Sequence, residues 1–231
     1  MNFDVSIVLP TKEEEGAFAV IKELKREFGS KAEIIVVDKS SEEYRKKIKK
    51  LGVVLVKQTT RGVENGLIEG FRHAHADILA TVDADGTHAL DGISKGMKLI
   101  KNGEVDLVLG NRMNNLVGGS MSAYLKFGNW GLSLMYNIFY GQHIHDILTG
   151  MQIMSRRAYE KVKNIRIYEM PIAFFQIEIA RQGYKVGEVE IKYTERKFGE
   201  SKLAKSKLMY GLTCGSQIMG RSPFLSGTSK S

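Results

Sequence analysis

The sequence contains little cysteine and no long apolar run. Cys214 is the single cysteine among 231 residues, which excludes a disulfide framework and a cysteine-ligated zinc site and is typical of a reducing compartment. Because Cys214 lies in an apolar segment, we expect its thiol to be inert. No stretch approaches the roughly 18 apolar residues that a membrane-spanning helix needs. The N-terminus lacks a basic region followed by an apolar stretch, so we expect a cytoplasmic protein.

Composition and charge are those of an ordinary globular protein with an anionic partner. With 43% hydrophobic and 26% charged residues, the chain can bury one sizeable core, and we expect a single domain over residues 1–203. The net charge of +8 leaves nucleic acid, anionic lipid and a phosphorylated substrate open as partners. Residues 192–207 hold six Lys or Arg against two Glu, a local net charge of +4. We therefore expect a basic, weakly amphipathic tail over residues 204–231, disordered at its end.

Short apolar, β-branched segments alternate with segments of helical periodicity in the first half of the chain. Strands buried on both faces and separated by helices predict an α/β fold with a doubly wound, mostly parallel sheet. The predicted strands are residues 5–9, 34–37, 53–56, 78–82 and 105–109, and the predicted helices are residues 14–28, 41–51, 62–74 and 91–100. The second half is predicted to contain helices over residues 122–140 and 171–182, a turn over residues 146–150 and a strand over residues 185–193.

Polar residues follow four of the predicted strands directly, at Pro10-Thr11, Asp38, Asp83-Ala84-Asp85 and Gly110-Asn111-Arg112. Because ligands of doubly wound sheets bind at the carboxyl edge of the strands, we expect these residues to converge on one crevice.

Asp83 and Asp85 are candidate metal ligands. Because a strand alternates its side chains between faces, we expect both carboxylates to point to the same side and Ala84 to the other. Hard oxygen ligands suit Mg²⁺ or Mn²⁺ holding a diphosphate. Aspartates also close strands as turn formers, so the pair alone leaves both interpretations open.

Seven motifs in order resemble those of family 2 glycosyltransferases. They are similar in particular to the dolichyl-phosphate sugar synthases, and among these to the archaeal enzymes that load the first N-glycan sugar onto dolichyl phosphate. The resemblance covers roughly residues 3–203 and rests on Ile7-Val8-Leu9-Pro10-Thr11 with Glu14, Val36-Val37-Asp38, Asp83-Ala84-Asp85-Gly86-Thr87-His88, Gly110-Asn111-Arg112, Asp146-Ile147-Leu148-Thr149-Gly150, Phe175-Gln176-Ile177-Glu178 and Glu195-Arg196-Lys197-Phe198-Gly199-Glu200-Ser201-Lys202-Leu203.

The resemblance implies a Rossmann-like GT-A fold, in which residues 1–112 bind a nucleotide sugar and residues 113–203 form the acceptor side. It also implies an inverting transfer that needs Mg²⁺ or Mn²⁺. The implied donor-binding residues are Pro10, Thr11, Glu14, Asp38, Asp83, Ala84 and Asp85, with the metal held by Asp83 and mainly by Asp85. Lys39 departs from the family pattern and could contact the base or a phosphate.

The implied acceptor is a polyprenyl (dolichyl) phosphate. A phosphate monoester is already largely dianionic at neutral pH, so it needs cations to position it and no catalytic base. The implied acceptor-phosphate residues are Arg112, Lys126, Arg196, Ser201 and Lys202, with solvated surface charges as the alternative for Arg196 and Lys202.

Asp146, Thr149 and Gly150 match a family turn near the donor sugar and the acceptor phosphate, with a helix-capping turn as the alternative. Asp146 joins Asp85 and Arg112 as a predicted catalytic residue. Gln176 and Glu178 lie in the sixth motif, where Glu178 either orients Arg112 or another cation or is structural.

The donor and the other partners remain open. The resemblance favours UDP-N-acetylglucosamine over UDP-glucose, with GDP-mannose as the alternative. A sugar-phosphate nucleotidyltransferase is disfavoured because the acidic loop 10–15 does not suit a triphosphate. A noncatalytic membrane-binding or nucleic-acid-binding module leaves the clustered aspartates unexplained, so we expect no nucleic acid. We expect the chain to lie peripherally on the cytoplasmic face of the membrane, with a membrane partner subunit or a homo-oligomer left open.

Overall fold

Seven strands and eight α-helices alternate along the chain in the computed structural model, which describes residues 3–87, 90–116, 121–165, 173–193 and 207–222. The strands are β1 (Val5–Thr11), β2 (Ala32–Asp38), β3 (Val54–Lys57), β4 (Ile78–Thr81), β5 (Leu107–Asn111), β6 (Gln152–Ser155) and β7 (Val186–Glu190). The helices are α1 (Gly16–Phe28), α2 (Glu42–Lys49), α3 (Val63–Phe71), α4 (Asp91–Lys101), α5 (Ala123–Tyr140), α6 (Arg156–Val162), α7 (Phe174–Arg181) and α8 (Lys207–Gly220), with a 3₁₀ turn at Gly29–Lys31.

One mixed sheet runs through the molecule in the order β3-β2-β1-β4-β6-β5-β7. β1 pairs in parallel with β2 and β4, β2 with β3, and β5 with β7. Apolar side chains project from both faces of the central strands, so the core consists of two clusters, one on each face of the sheet. One face is covered by α1, α2 and α4, and the other by α3, α5, α6, α7 and α8. The predicted doubly wound, mostly parallel α/β sheet is confirmed.

The sequence pattern did not predict β6 and α6. β6 has four residues and lies antiparallel between β4 and β5, so it is too short to show a period of its own. Its side chains divide between the two cores, with Met154 on one face and Ile153 on the other. The Ser155 side chain then accepts a hydrogen bond from the Ala158 amide and caps α6. Tertiary pairing with two neighbours, and not local propensity, therefore defines this segment.

α8 packs against α5 as part of the core. Cys214 and Ile218 are fully buried with Leu132 and Tyr136 of α5, and the Tyr140 hydroxyl donates to the Ile218 carbonyl at 2.9 Å. Burial raises the pKa of the Cys214 thiol to about 12, which favours the protonated form and agrees with the expectation of an unreactive thiol. The predicted tail boundary after residue 203 stays a prediction because residues 194–206 lie outside the described chain.

No helix in the described part of the chain has both the length and the apolar character needed to cross a bilayer.

Candidate functional site

The ends of β1 and β2 form the first part of the site. Their parallel register sets Thr11 opposite Asp38, and the Thr11 hydroxyl donates to the Asp38 carboxylate at 2.7 Å. The Ser40 amide donates to the other carboxylate oxygen at 2.9 Å, and the Ser40 hydroxyl also donates to Asp38. Asp38 is fully buried, so these donors compensate for the loss of water around its charge. The two predicted donor-binding residues Thr11 and Asp38 therefore lie in contact, with Pro10 beside them in β1.

The loop after β1 is tied to the loop after β2. The Glu13 amide donates to the Ser40 hydroxyl, and the Ser41 amide donates to the Glu13 carboxylate, both at 2.6 Å. Glu13 has φ of 50°, a left-handed conformation that these bonds hold in place. The predicted residue Glu14 accepts the Tyr44 hydroxyl on its carbonyl at 2.6 Å. Glu13, Ser40 and Tyr44 were not among the predicted site residues, although Glu13 lies inside the first motif.

Lys39 joins the same edge to the loop after β3. Its ammonium group donates to the Thr60 carbonyl at 2.8 Å. The neighbouring loop is held in turn by Glu69, whose carboxylate accepts the amides and hydroxyls of Thr59 and Thr60. In this structure Lys39 therefore organises the rim of the crevice, and its contact with a base or a phosphate stays a prediction.

Asp83 and Asp85 follow β4 but do not continue it. β4 ends at Thr81, and residues 84–86 turn, with φ of 73° at Gly86. The expectation that strand alternation orients both carboxylates is therefore wrong. The turn itself fixes Asp85, because one carboxylate oxygen accepts the Thr87 amide at 3.1 Å and the Thr87 hydroxyl at 2.7 Å. Asp85 and Ala84 are both 5% exposed, so this turn is held firmly at the floor of the crevice.

Gly150 brings the fifth motif against the third. A Cβ atom at Gly150 would lie 2.1 Å from one carboxylate oxygen of Asp83 and 2.4 Å from the other. Only a residue without a side chain can therefore sit here while Asp83 keeps its place. Gly150 follows Asp83 by 67 residues in the chain, and this contact brings their two motifs together.

Arg112 and Asp146 form a buried, bidentate ion pair. The Arg112 Nε and Nη2 atoms donate to the two carboxylate oxygens of Asp146 at 2.6 and 2.8 Å, and the Arg112 amide donates to the same carboxylate at 3.1 Å. Nη2 also donates to the Leu148 carbonyl at 3.0 Å, and the guanidinium lies over the Tyr193 ring. Burial alone would lower the pKa of Arg112, but the Asp146 carboxylate outweighs it and raises that pKa. The site thus contains a permanently charged, rigid guanidinium.

Three further side chains hold the turn that carries Asp146. Asn129 of α5 donates to the Asp146 carboxylate at 2.9 Å and accepts the Leu148 amide at 3.2 Å. Ser133, one turn later, accepts the Ile147 amide. Gln176 of α7 donates to the Ile147 carbonyl at 3.0 Å, which gives this predicted residue a positioning role. Asn129 and Ser133 were missed, although two polar residues four apart in an apolar helix were a usable signal.

The turn at residues 146–150 leads into β6, so the helix-capping alternative is wrong. Thr149 closes it by accepting the Met151 amide at 3.3 Å. Beside it, the His145 ring and the amides of His145 and Asp146 bind Glu188 of β7. Among the described residues, no three or more His, Cys, Asp or Glu side chains are grouped to hold a metal ion.

Glu178 contacts cations other than Arg112. Its carboxylate accepts Arg181 at 2.9 Å and Arg221 at 2.5 Å, and its side chain is 2% exposed. Because Arg221 directly follows α8, this pair fastens the end of that helix to α7. Of the expected partners, Arg112 or another cation, Glu178 therefore binds other cations, and any role of Glu178 in the site stays a prediction.

The described part of the chain does not assemble the full set of acceptor cations. Lys126 is exposed on α5, three residues before Asn129. Arg196, Ser201 and Lys202 lie outside the described residues. Of the predicted acceptor residues, Arg112 is the one that the described part of the chain places with Asp146, and the acceptor role of all five stays a prediction.

Comparisons with known proteins agree with this arrangement. The model of glycosyl transferase family 2 matches residues 6–163. A dolichyl-phosphate hexose transferase of Haloferax volcanii is 27% identical over 201 residues, which are 87% of this chain and 86% of that protein. The UDP-N-acetylglucosamine–dolichyl-phosphate N-acetylglucosaminyltransferase of Methanococcus voltae is 32% identical over 62% of this chain and 61% of its own length. A further hexosyltransferase of Haloferax volcanii is matched over only 39% of its length.

Among solved structures, the chain is similar to glucosyl-3-phosphoglycerate synthase from Mycobacterium tuberculosis in complex with Mn²⁺, UDP and phosphoglyceric acid. The TM-score is 0.69 at 16% identity, over 98% of this chain and 80% of the other. This likeness confirms the GT-A fold. Since the family model spans well over half of the chain, the protein belongs to glycosyl transferase family 2 and is a glycosyltransferase.

Proposed function

We propose that the protein transfers a sugar from a nucleoside diphosphate sugar to a polyprenyl phosphate such as dolichyl phosphate, on the cytoplasmic face of a membrane, for protein N-glycosylation. The observation that supports this proposal is the contact between Gly150 and Asp83, because it brings the turn that carries Asp146, the partner of Arg112, against one of the two proposed metal ligands. Relatives named for transfer to dolichyl phosphate support the choice of acceptor.

The donor half fits a divalent metal ion. Asp83 and Asp85 supply hard carboxylate oxygens, the donor set that Mg²⁺ and Mn²⁺ prefer, and the diphosphate and water can complete the coordination. Because a Cβ at Gly150 would overlap the Asp83 carboxylate, the absence of a side chain at Gly150 lets that carboxylate keep its position. Solved proteins of this fold contain Mn²⁺ or Mg²⁺ with UDP. When bound, the metal would neutralise charge on the departing nucleoside diphosphate.

On the acceptor side the chemistry requires positioning of an anion. A phosphate oxygen attacks the anomeric carbon, the bond from that carbon to the diphosphate breaks, and its electron pair leaves with the nucleoside diphosphate. A single displacement of this kind inverts the anomeric configuration. No proton has to be removed from a dianionic phosphate. Arg112, held rigid by Asp146 and Asn129, supplies positive charge that offsets the repulsion between the two phosphate groups.

The donor is proposed to be UDP-N-acetylglucosamine, then UDP-glucose, with GDP-mannose as the alternative. The relatives are named for N-acetylglucosamine, hexose and mannose transfer, so their names alone do not select one. A panel of radiolabelled UDP- and GDP-sugars, offered to the purified protein with Mg²⁺ and dolichyl phosphate, tests the proposal. We expect label in the lipid fraction with one UDP-sugar. Labelled lipid with GDP-mannose alone would establish the alternative, and no labelled lipid with any donor would contradict the function.

Replacing Asp85 with alanine should reduce sugar transfer about 100-fold or more, the size expected when a group that stabilises charge in the transition state is lost. The measurement is the initial rate of lipid labelling at saturating donor, together with the binding of UDP and Mn²⁺ by calorimetry. Asp91→Ala is the matched control, since Asp91 is half-exposed on α4 and pairs with Lys95 on the surface. Equal rates in the two variants would remove Asp85 from the diphosphate site.

A further inference from the structure

One face of α5 exposes a continuous stripe of large apolar side chains. The exposed fractions are 60% at Tyr124, 70% at Phe127, 56% at Trp130, 45% at Leu134 and 65% at Ile138. Spacings of three and four residues align them along the helix. In the described part of the chain, eight of the ten large hydrophobic residues that are exposed lie on α5 or on α8, where they are Met209, Leu212 and Met219. Such a concentration is unusual for a surface and marks an interaction site.

We propose that the exposed apolar face of α5, extended by α8, docks on a lipid bilayer with both helices lying in the plane of the interface. This inference rests on the proposed function, in that a polyprenyl phosphate is held in a membrane by its hydrocarbon chain. The inference names the surface that meets the membrane. This surface differs from the basic segment 192–207, which the charge pattern indicated.

The composition of the two helices favours lipid over a protein partner. Neither α5 nor α8 contains an Asp or Glu, and each contains one lysine, Lys126 and Lys207. Tyr124 and Trp130 are of the residue types that concentrate where hydrocarbon meets headgroups, since one end of each ring is apolar and the other polar. In the sequence, five basic residues between 192 and 205 precede α8, and Lys207 is the first residue of that helix. A basic segment that adjoins an apolar, aromatic helix in the chain is the combination that an anionic bilayer attracts.

The same helix connects this face to the site. Asn129, on the buried side of α5, donates to Asp146, which holds Arg112, while its neighbour Trp130 is exposed. Arg112 is therefore linked to the proposed docking surface through Asp146 and Asn129 of α5. α8 is fixed to α5 by the Tyr140–Ile218 hydrogen bond and to α7 by Arg221. α5 thus carries both the proposed docking surface and a side chain that holds the Arg112–Asp146 pair.

The test is co-sedimentation of the whole chain with vesicles of phosphatidylcholine and phosphatidylglycerol, without any sugar donor. The double variant Phe127→Ser/Trp130→Ser should weaken vesicle binding about tenfold or more. Val54→Ser is the matched control, because Val54 is also an exposed apolar residue, 41% accessible, but lies on the edge strand β3. It should bind like the unaltered chain. Far-UV circular dichroism checks that both variants fold.

Three results would overturn the docking surface. They are an unaltered chain that fails to sediment with vesicles, a double variant that binds as well as the control, and a dimer in sedimentation velocity that the double variant converts to monomer. The last would assign the face to a second copy. A second assay, transfer to a short, water-soluble prenyl phosphate, separates this inference from the proposed function. If the double variant keeps that transfer but loses vesicle binding and transfer to dolichyl phosphate in vesicles, the docking surface and the proposed function both stand. If vesicle binding depends on α5 but no donor supports transfer, the function alone fails.

Discussion

Replacing Asp146 with asparagine should lower the free energy of unfolding by about 3–5 kcal/mol, the usual loss when one partner of a buried ion pair is removed. Asp146 accepts four N–H groups, three from Arg112 and one from Asn129. An asparagine side chain has one oxygen and one NH₂ group. Whichever way the amide is oriented, its NH₂ group would point at N–H donors that both Asp146 oxygens now accept. The Arg112 charge would also lose its counterion. Sugar transfer should fall about 100-fold or more because the guanidinium is no longer held. Urea unfolding and the rate of lipid labelling measure the two effects.

Asp106→Asn is the matched control for this prediction. Asp106 is also a buried aspartate that binds an arginine Nε, at 2.7 Å, but its partner Arg157 has a side chain that is 68% exposed. Because water can solvate the Arg157 guanidinium, Asp106→Asn should lower the free energy of unfolding far less than Asp146→Asn does. The double variant Arg112→Leu/Asp146→Asn separates stability from catalysis, because removing the uncompensated charge should restore much of the stability but none of the transfer. Recovery of transfer in that variant would mean that the pair is not needed for the reaction.

Replacing Gly150 with alanine should reduce transfer and metal binding together, by about tenfold or more. The added Cβ would overlap the Asp83 carboxylate at 2.1–2.4 Å, so this short side chain must rotate out of its position. The cost to stability should be about 1–3 kcal/mol, as for other additions to a tightly packed region. Calorimetry of Mn²⁺ binding in the presence of UDP gives the affinity, and lipid labelling gives the rate.

Gly128→Ala controls for the general effect of adding a methyl group, since nothing lies within 4 Å of a Cβ at Gly128. It should leave metal binding unchanged. A double-mutant cycle then tests the cause: with Asp83 already replaced by alanine, the change at Gly150 should have little further effect on Mn²⁺ affinity. Independent, additive losses from the two changes would show that Gly150 does not act through Asp83.

Much of this arrangement was predictable from local pattern. Apolar strands followed by polar residues predicted the sheet and placed Thr11, Asp38, Asp85 and Arg112 at one edge, because the carboxyl ends of parallel strands meet there. The motif order predicted the family. What local pattern could not predict depends on pairing and on partners distant in sequence. β6 exists through its two antiparallel neighbours, and the turn that ends β4 early is held by Thr87.

Side-chain partners were the least predictable feature. Arg112 was expected to serve the acceptor phosphate, and nothing in its own segment indicated that Asp146, 34 residues later, accepts its Nε and Nη2 donors. Glu178 was equally ambiguous, since Arg181 lies one turn away but Arg221 lies 43 residues later. Charge partners across a fold are selected by packing geometry, which sequence spacing does not encode.

The ion pair between Glu178 and Arg221 shows that the end of the last motif is not the end of the folded domain. The last recognisable motif ends at residue 203, yet α8 fills the core beside Leu132 and Tyr136 and its end neutralises a carboxylate buried in α7. A chain shortened to its motifs would keep every residue that the family pattern highlights. It would also expose the apolar side chains of α5 that α8 covers, and Arg181, which is partly exposed, would be the remaining cation at Glu178 among the described residues. The folding unit is therefore longer than the catalytic signature, and any minimal enzyme cut from this chain has to include α8 and Arg221.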